Sequence, residues 1–460
     1  MLFSSIVFLY YFLPILIIAY FITPSACRNY LLLFFSFMFY FYGEPKFGFL
    51  IIISALMNYS ASKLIVKYPK HKQVFLMLAI VYNLGQLVYF KYTGFIFENL
   101  NILFNTNWMI PKIIMPIGIS FFTFQALSYV VDVYKEDTEP SKNFLDFAMY
   151  LSLFPQLIAG PIVRYKDVAK EIQSRTIDFE NFSQGLKRFV VGLAKKIILA
   201  NLLGAWVLSL ENLVVQSVLS FWLKAIGFTL QIYFDFSAYS DMAIGLGLML
   251  GFHFLENFNY PLIATSITDF WRRWHMSLSS FFKDYVYIPL GGNRVSKIKY
   301  IRNLFVVWFL TGLWHGASWN FIIWGLYFAL VLLFEKKYLL NFLNNTKVFK
   351  YIYASFFIVI GFAIFNAGSM QEVLLNLKSM FGFNHLDFVS VETLYTLRSN
   401  FVLLVVSLIV STPLLKNLKN KYNKLSFYPY IETIVYPTLL LLCTAYLVDA
   451  SFNPFLYFRF

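Results

Sequence analysis

The sequence predicts an all-α, polytopic membrane protein, and three observations carry that prediction. Of 460 residues, 59% are hydrophobic and only 13% charged, with a mean hydropathy of +0.66. That leaves too few charges for the polar skin a water-soluble fold of this size needs. Apolar stretches without charge recur along the whole chain, each able to cross about 30 Å of hydrocarbon or nearly so. They are apolar on every face, which suits helices that satisfy their own backbone groups. Barrel strands would alternate instead.

In chain order the clearest stretches are 2–21, 74–90, 113–131, 147–163, 242–255, 351–370, 401–415 and 434–448. Shorter runs at 30–42 and 47–61 predict a tight hairpin. The expectation is ten to thirteen helices, some spanning and some re-entrant. The first stretch has no basic leading region and no small-residue cleavage site, so it reads as a retained span. Aromatic residues, 21% of the chain, fit interfacial belts as well as packing. Polar segments 134–143 and 371–400 are expected as the largest loops. With no linker, repeat or low-complexity block, residues 1–460 read as a single domain.

The formal charge of +14 would suggest nucleic acid in a soluble protein. Here the basic residues gather in short loops, as at Lys63, Lys67, Lys70 and Lys72, the habit of cytoplasmic loops. Nucleic acid is therefore excluded, and the lipid bilayer is the partner. Cys27 and Cys443 are the two cysteines, far apart and outside any Cys/His cluster, so no disulfide framework and no metal site is expected.

Four breaks in the apolar pattern carry the chemistry. The charge-free run 303–334 would make a straight helix of roughly 48 Å, longer than the hydrocarbon is thick. Gly316, Ser318 and Asn320 permit a turn, so two helices with an apex at His315 are expected. Arg294, Lys297, Lys299 and Arg302 precede the run and Glu335, Lys336 and Lys337 follow it, which places both ends at one edge. His315 then lies about 20 Å from that edge. An ionisable group there is either a buried hydrogen-bonding histidine or a functional one. A neutral imidazole is apt as a base, with one nitrogen open to a hydroxyl proton.

The second break, Asp269 to Ser279 leading to Lys283 and the turn 289–294, is too charged to span lipid. Its cations Arg272, Arg273, Lys283 and Arg294 suit phosphate or lipid headgroups. Within it, His275 reads by itself as structural. In the third, Asp235 and Asp241 are six residues apart, roughly 120° around a helix, so they cannot easily pair as an acid/base dyad. Hydrogen bonding to neighbouring helices is the expected role. In the fourth, Pro155, Gly160 and Pro161 should kink or end a span. His71, His253 and His385 are expected to have no convergent partners.

Taken together, these segments resemble the membrane-bound O-acyltransferase family, in its polysaccharide-acetylating and peptidoglycan-acetylating branch. The resemblance covers nearly the whole chain. It is carried by 118–129, by 155–165, by Tyr233-Phe234-Asp235-Phe236-Ser237-Ala238-Tyr239-Ser240-Asp241 and by Glu256-Asn257-Phe258-Asn259. It continues through 271–292, Gly312-Leu313-Trp314-His315-Gly316-Ala317-Ser318-Trp319 and the terminal 453–460. Two positions depart from the family pattern, Ala238 for Gly and Asn366 for Arg.

The resemblance implies helices around a central tunnel in a bacterial inner membrane. It makes His315 the membrane-embedded catalytic histidine and His275 the second one. Arg272, Arg273, Trp274, Asn259 and Trp314 become the substrate-binding residues. No bound cofactor is implied. Acetyl-CoA is the implied acyl donor, and an extracytoplasmic acetyltransferase of SGNH-hydrolase type the implied partner. The breaks also suit a transporter or flippase for a lipid-linked glycan, against which the lack of an internal repeat stands.

Counting spans back from a cytoplasmic Lys63–Lys72 loop puts the N-terminus outside and Arg28 inside. A Lys70→Cys variant with Cys27→Ser should therefore react with an impermeant maleimide in inverted vesicles and not in intact cells. Labelling in intact cells would reverse the topology.

Overall fold

Helices make up every regular element among the described residues of the computed structural model, which describes residues 1–158, 160–449 and 456. Five helices are long and apolar enough to cross a membrane: Gly48–Lys67, Pro69–Phe104, Phe179–Glu211, Phe349–Asn366 and Tyr428–Asp449. A sixth crossing is formed if Val391–Ser399 and Phe401–Val410, bent by 55°, count as one. Phe8–Ile22 and Ile119–Tyr134 are shorter apolar helices. The protein is thus an all-α, multi-pass membrane protein.

Packing divides the chain into two units, one of Met1–Phe189 with Ser240–Leu255 and one of Val190–Tyr239 with Glu256–Phe460. Both boundaries fall inside long helices, Phe179–Glu211 and Val218–Met249.

In the first unit Gly48–Lys67, Lys72–Leu87 and Ile119–Tyr134 pack on one another, and Arg28–Gly43 and Gly48–Lys67 both pack on Phe144–Ser152. Polar side chains join the three helices. Asn83 donates to Asn58 Oδ1 at 2.6 Å, Gln86 donates to Thr123 Oγ1 at 3.1 Å, and the Ser62 and Tyr129 hydroxyls meet at 2.8 Å. Each group would be costly alone in hydrocarbon, so pairing across helices fixes which helices meet.

In the second unit the most extensive helix pair is Lys297–His315 against Trp319–Phe334. Two glycines set its closeness. A Cβ on Gly325 would collide with the Trp308 carbonyl oxygen, and one on Gly312 with that of Phe321. The backbones touch because both positions lack a side chain. Phe349–Asn366 packs along the second arm.

The structure revises several of the expected spans. Residues 113–118 are not helical. Pro111 and Pro116 lack backbone donors, Gly118 adopts φ 78°, and the helix begins at Ile119. The stretch 147–163 is broken at Leu153, after which Phe154–Leu157 forms a single turn. Gln156 there donates back to the Tyr150 carbonyl at 2.5 Å. Residues 242–249 are the end of the 32-residue helix Val218–Met249, stopped where Gly251 takes φ 82°. The segment 371–400 holds the helices Met370–Met380 and Val391–Ser399, capped by Ser369 and Ser390.

Phe179–Glu211 was not anticipated, because Lys195 and Lys196 interrupt its apolar run. Lys196 is nonetheless 3% exposed and lies 2.5 Å from Asp235, an acid from the Val218–Met249 helix that also accepts from the Leu456 amide at 2.9 Å. Asp241 pairs instead with Arg188 at 2.9 Å. The two aspartates thus serve separate cations, as the 120° argument requires. His253 does have a partner, contrary to expectation, its Nδ1 lying 2.7 Å from Glu171 Oε1.

Substituting Gly325→Ala must push the two arms apart, which should cost about 1–3 kcal/mol and lower the melting temperature in detergent. Gly85 has open space around its Cβ position, so Gly85→Ala should leave that temperature unchanged or raise it. Equal melting of Gly325→Ala and wild type would refute the close-contact reading.

Candidate active site

His315 ends the Lys297–His315 helix, and the chain reverses through Gly316 to Ser318 before Trp319 opens the next. The turn thus falls where the sequence places it, directly after the histidine. Asn320, in the first turn of the second arm, donates to the Ala367 carbonyl at 2.7 Å and more weakly to that of Phe365. It therefore caps the end of Phe349–Asn366 and holds Phe365 beside the imidazole. His315, 2% exposed, is ringed by Trp314, Trp324 and Phe365, at centroid separations of 5.0, 4.9 and 5.3 Å and nearly edge-to-face. Such packing fixes ring orientation and excludes water.

His275 reaches the same cluster from another direction. Its ring lies 5.6 Å from that of Trp314 and 4.6 Å from that of Phe236. One indole therefore contacts both imidazoles. His275 joins the short helices Ile267–Arg273 and Met276–Phe282 and adopts φ 44°, a left-handed conformation unusual for a side-chain-bearing residue. Backbone bonds on either side hold it there: Asn259 N donates to the Arg273 carbonyl, and Met276 N to the Asn257 carbonyl, both at 2.9 Å.

Asn257 also sets the tautomer of His275. The Ser277 amide can only donate, and its acceptor at 3.2 Å is Asn257 Oδ1, which fixes the orientation of the amide group. The same oxygen lies 3.1 Å from His275 Nδ1, so Nδ1 carries the proton. Nε2 is left as the lone-pair nitrogen, buried and without a hydrogen-bond partner among the described residues. His275 lies outside the spanning helices, and burial, then the neighbouring His315, pushes its pKa well below the ordinary histidine value.

The segment bearing His275 is anchored by Glu335, a fully buried acid just past the second arm. Its carboxylate accepts from Ile267 N at 2.6 Å, from Thr268 N at 2.9 Å and from the Thr268 hydroxyl at 2.6 Å. It thereby satisfies the open amides at the start of Ile267–Arg273 and complements the positive end of that helix.

The other expected site residues are dispersed. Trp274 is 2% exposed and packs among Phe258, Phe270 and Phe362 as a core side chain. Arg273 is engaged by Asp269, at 2.8 Å, while Arg272 and Asn259 are exposed. Asn257, Phe236, Trp324, Phe365 and Glu335 were not singled out as site residues. Asn257 lay inside a quoted motif, yet nothing in spacing links it to a histidine eighteen positions later. The terminal segment 453–460, apart from Leu456, lies outside the described residues. Among those described, no cluster of His, Cys, Asp and Glu could hold a metal ion.

Two buried histidines thus meet around one indole, one of them at the turn of a helical hairpin. The model of the MBOAT, membrane-bound O-acyltransferase family, matches residues 140–374, which include both histidines. A probable alginate O-acetylase of Azotobacter vinelandii is 37% identical, over 100% of both chains. The peptidoglycan O-acetyltransferase of Helicobacter pylori is 32% identical over 100% of this chain and 98% of its own. The teichoic acid D-alanyltransferase of Bacillus subtilis is 30% identical over 54% of this chain and 68% of its own. With its membrane helices, its matched segment and relatives similar from end to end, the chain belongs to the membrane-bound O-acyltransferase family and is an acyltransferase.

Proposed function

We propose that this protein O-acetylates an extracytoplasmic polysaccharide, taking the acetyl group from cytoplasmic acetyl-CoA and passing it across a bacterial inner membrane through a central tunnel. The observation that carries the reading is the placement of His315 and His275 against one buried indole. Each contacts Trp314, and the site is walled by aromatic rings. His315 takes the proton of an acceptor hydroxyl as its oxygen attacks the thioester carbonyl. The C–S bond then breaks, and the coenzyme A thiolate leaves with that proton. His275, its tautomer set by Asn257, presents Nε2 toward the same cluster as an assisting or orienting group. Exclusion of water by the aromatic wall protects the thioester from hydrolysis.

Arg272, exposed on its helix, is the residue of the pair more available to the donor's phosphates, since Arg273 is held by Asp269. Trp314 would line the acyl path, with Asn259 and Trp274 supporting the segment that carries His275. The names of the relatives favour a transferase over a transporter. They span alginate, peptidoglycan and teichoic acid, so the acceptor is proposed only as an envelope or exported polysaccharide. An SGNH-hydrolase-type partner on the outer face would complete the transfer.

Purified protein in liposomes, supplied with radiolabelled acetyl-CoA, should release or transfer label. His315→Ala should lower that turnover by about 10²–10⁴-fold while still inserting. Wild-type turnover in a well-inserted His315→Ala variant would sink the mechanism. Asn257→Ala removes the acceptor that fixes the His275 tautomer, and kcat should fall about tenfold or more with KM for the donor little changed. A fall in KM-dependent binding alone would show instead that Asn257 serves the donor.

A further inference from the structure

Within the second unit a groove of about 750 Å³ opens between Val218–Met249, Phe349–Asn366 and Phe401–Val410. Its walls are hydrocarbon, from residues such as Trp222, Ile226, Ile358, Leu404 and Leu408. Hydroxyl-bearing residues also line it, among them Tyr351, Ser355 and Thr412. Tyr351 and Thr412 each adjoin a basic stretch: Lys347 and Lys350 precede the one, and Lys416 follows the other by four residues. Lys350 is in contact with the groove's wall, its ammonium lying 5.5 Å from the centre of the Tyr351 ring. Glu432, an acid of the Tyr428–Asp449 helix, is itself paired with Lys419 at 3.0 Å.

From this geometry we infer that the groove is a binding site for an anionic glycerophospholipid, its acyl chains in the groove and its phosphate at Lys350 and Lys416. One wall of the groove belongs to the spanning helix Phe349–Asn366, so the groove lies at membrane depth, where lipid chains are the ordinary solvent. Along that helix it extends from Tyr351 to Val359, about 12 Å at the usual helical rise. Flexible hydrocarbon chains can fill an open apolar groove of this length and lining. Paired lysines beside hydroxyls favour an anionic over a zwitterionic headgroup.

The lipid is not the acyl acceptor. Phe365, which touches His315, is fifteen positions beyond Lys350, about 22 Å along the helix. A headgroup held at Lys350 cannot reach the imidazole, so its chains buttress the helix that carries Phe365 instead. The site is independent of which polymer the enzyme acetylates.

The test is native mass spectrometry of the full chain, purified in mild detergent and titrated with phosphatidylglycerol or phosphatidylcholine of the same chain length. Wild type should retain phosphatidylglycerol in preference to phosphatidylcholine. Ser355→Trp, which fills the groove, should lose at least tenfold in affinity for both lipids. Lys350→Glu with Lys416→Glu should weaken phosphatidylglycerol binding by roughly 25-fold, about fivefold for each lysine removed, and leave phosphatidylcholine unchanged. Equal binding of both lipids by wild type would overturn the inference, as would Ser355→Trp binding like wild type or co-purification of a protein subunit in place of lipid. Should Ser355→Trp fail to fold, the lysine variant decides alone.

Discussion

The charges this chain carries into its apolar interior have to be answered by partners, because neither lipid nor aromatic core can hydrogen-bond to them. That constraint selects the packing. Lys196 is tolerable inside a long apolar helix because Asp235 faces it. Glu335 is tolerable at full burial because it meets two amides and a hydroxyl at a helix start. Buried pairs of this kind add little net stability, since desolvation offsets much of their attraction. Losing one partner would strand the other, however, and so the pairs decide which helices meet.

The same constraint builds the site. The helical hairpin turns where Gly316 and Ser318 allow it, and the carbonyls freed at the end of Phe349–Asn366 are met by Asn320 from its second arm. His315 and Phe365 are thereby brought together by backbone satisfaction as well as by their own ring contact. On the opposite side, His275 is held in a left-handed conformation between flanking backbone bonds. A strained residue fixed so firmly suits a group whose orientation matters to chemistry. The protein contributes rigid placement among buried aromatic rings, which is what the proposed attack of a hydroxyl on a thioester would need most.

Much of this was legible in the sequence. Composition and the repeated apolar runs determined a multi-pass helical protein, and the length of 303–334 determined a broken helix with His315 at its turn. Ordered motifs from 118 to 319 pointed to the family. These features are local or additive: each depends on residues close in sequence or on totals, so no partner has to be known. Only the tertiary structure decided the rest. It showed that Phe179–Glu211 is a span despite Lys196, that Asn257 governs the tautomer of His275, and that Trp314 contacts both histidines. In each case a residue's meaning rests on a group eighteen or more positions away in sequence. The cost of burying a charge or an imidazole is set by what faces it, and the chain's order alone does not state that.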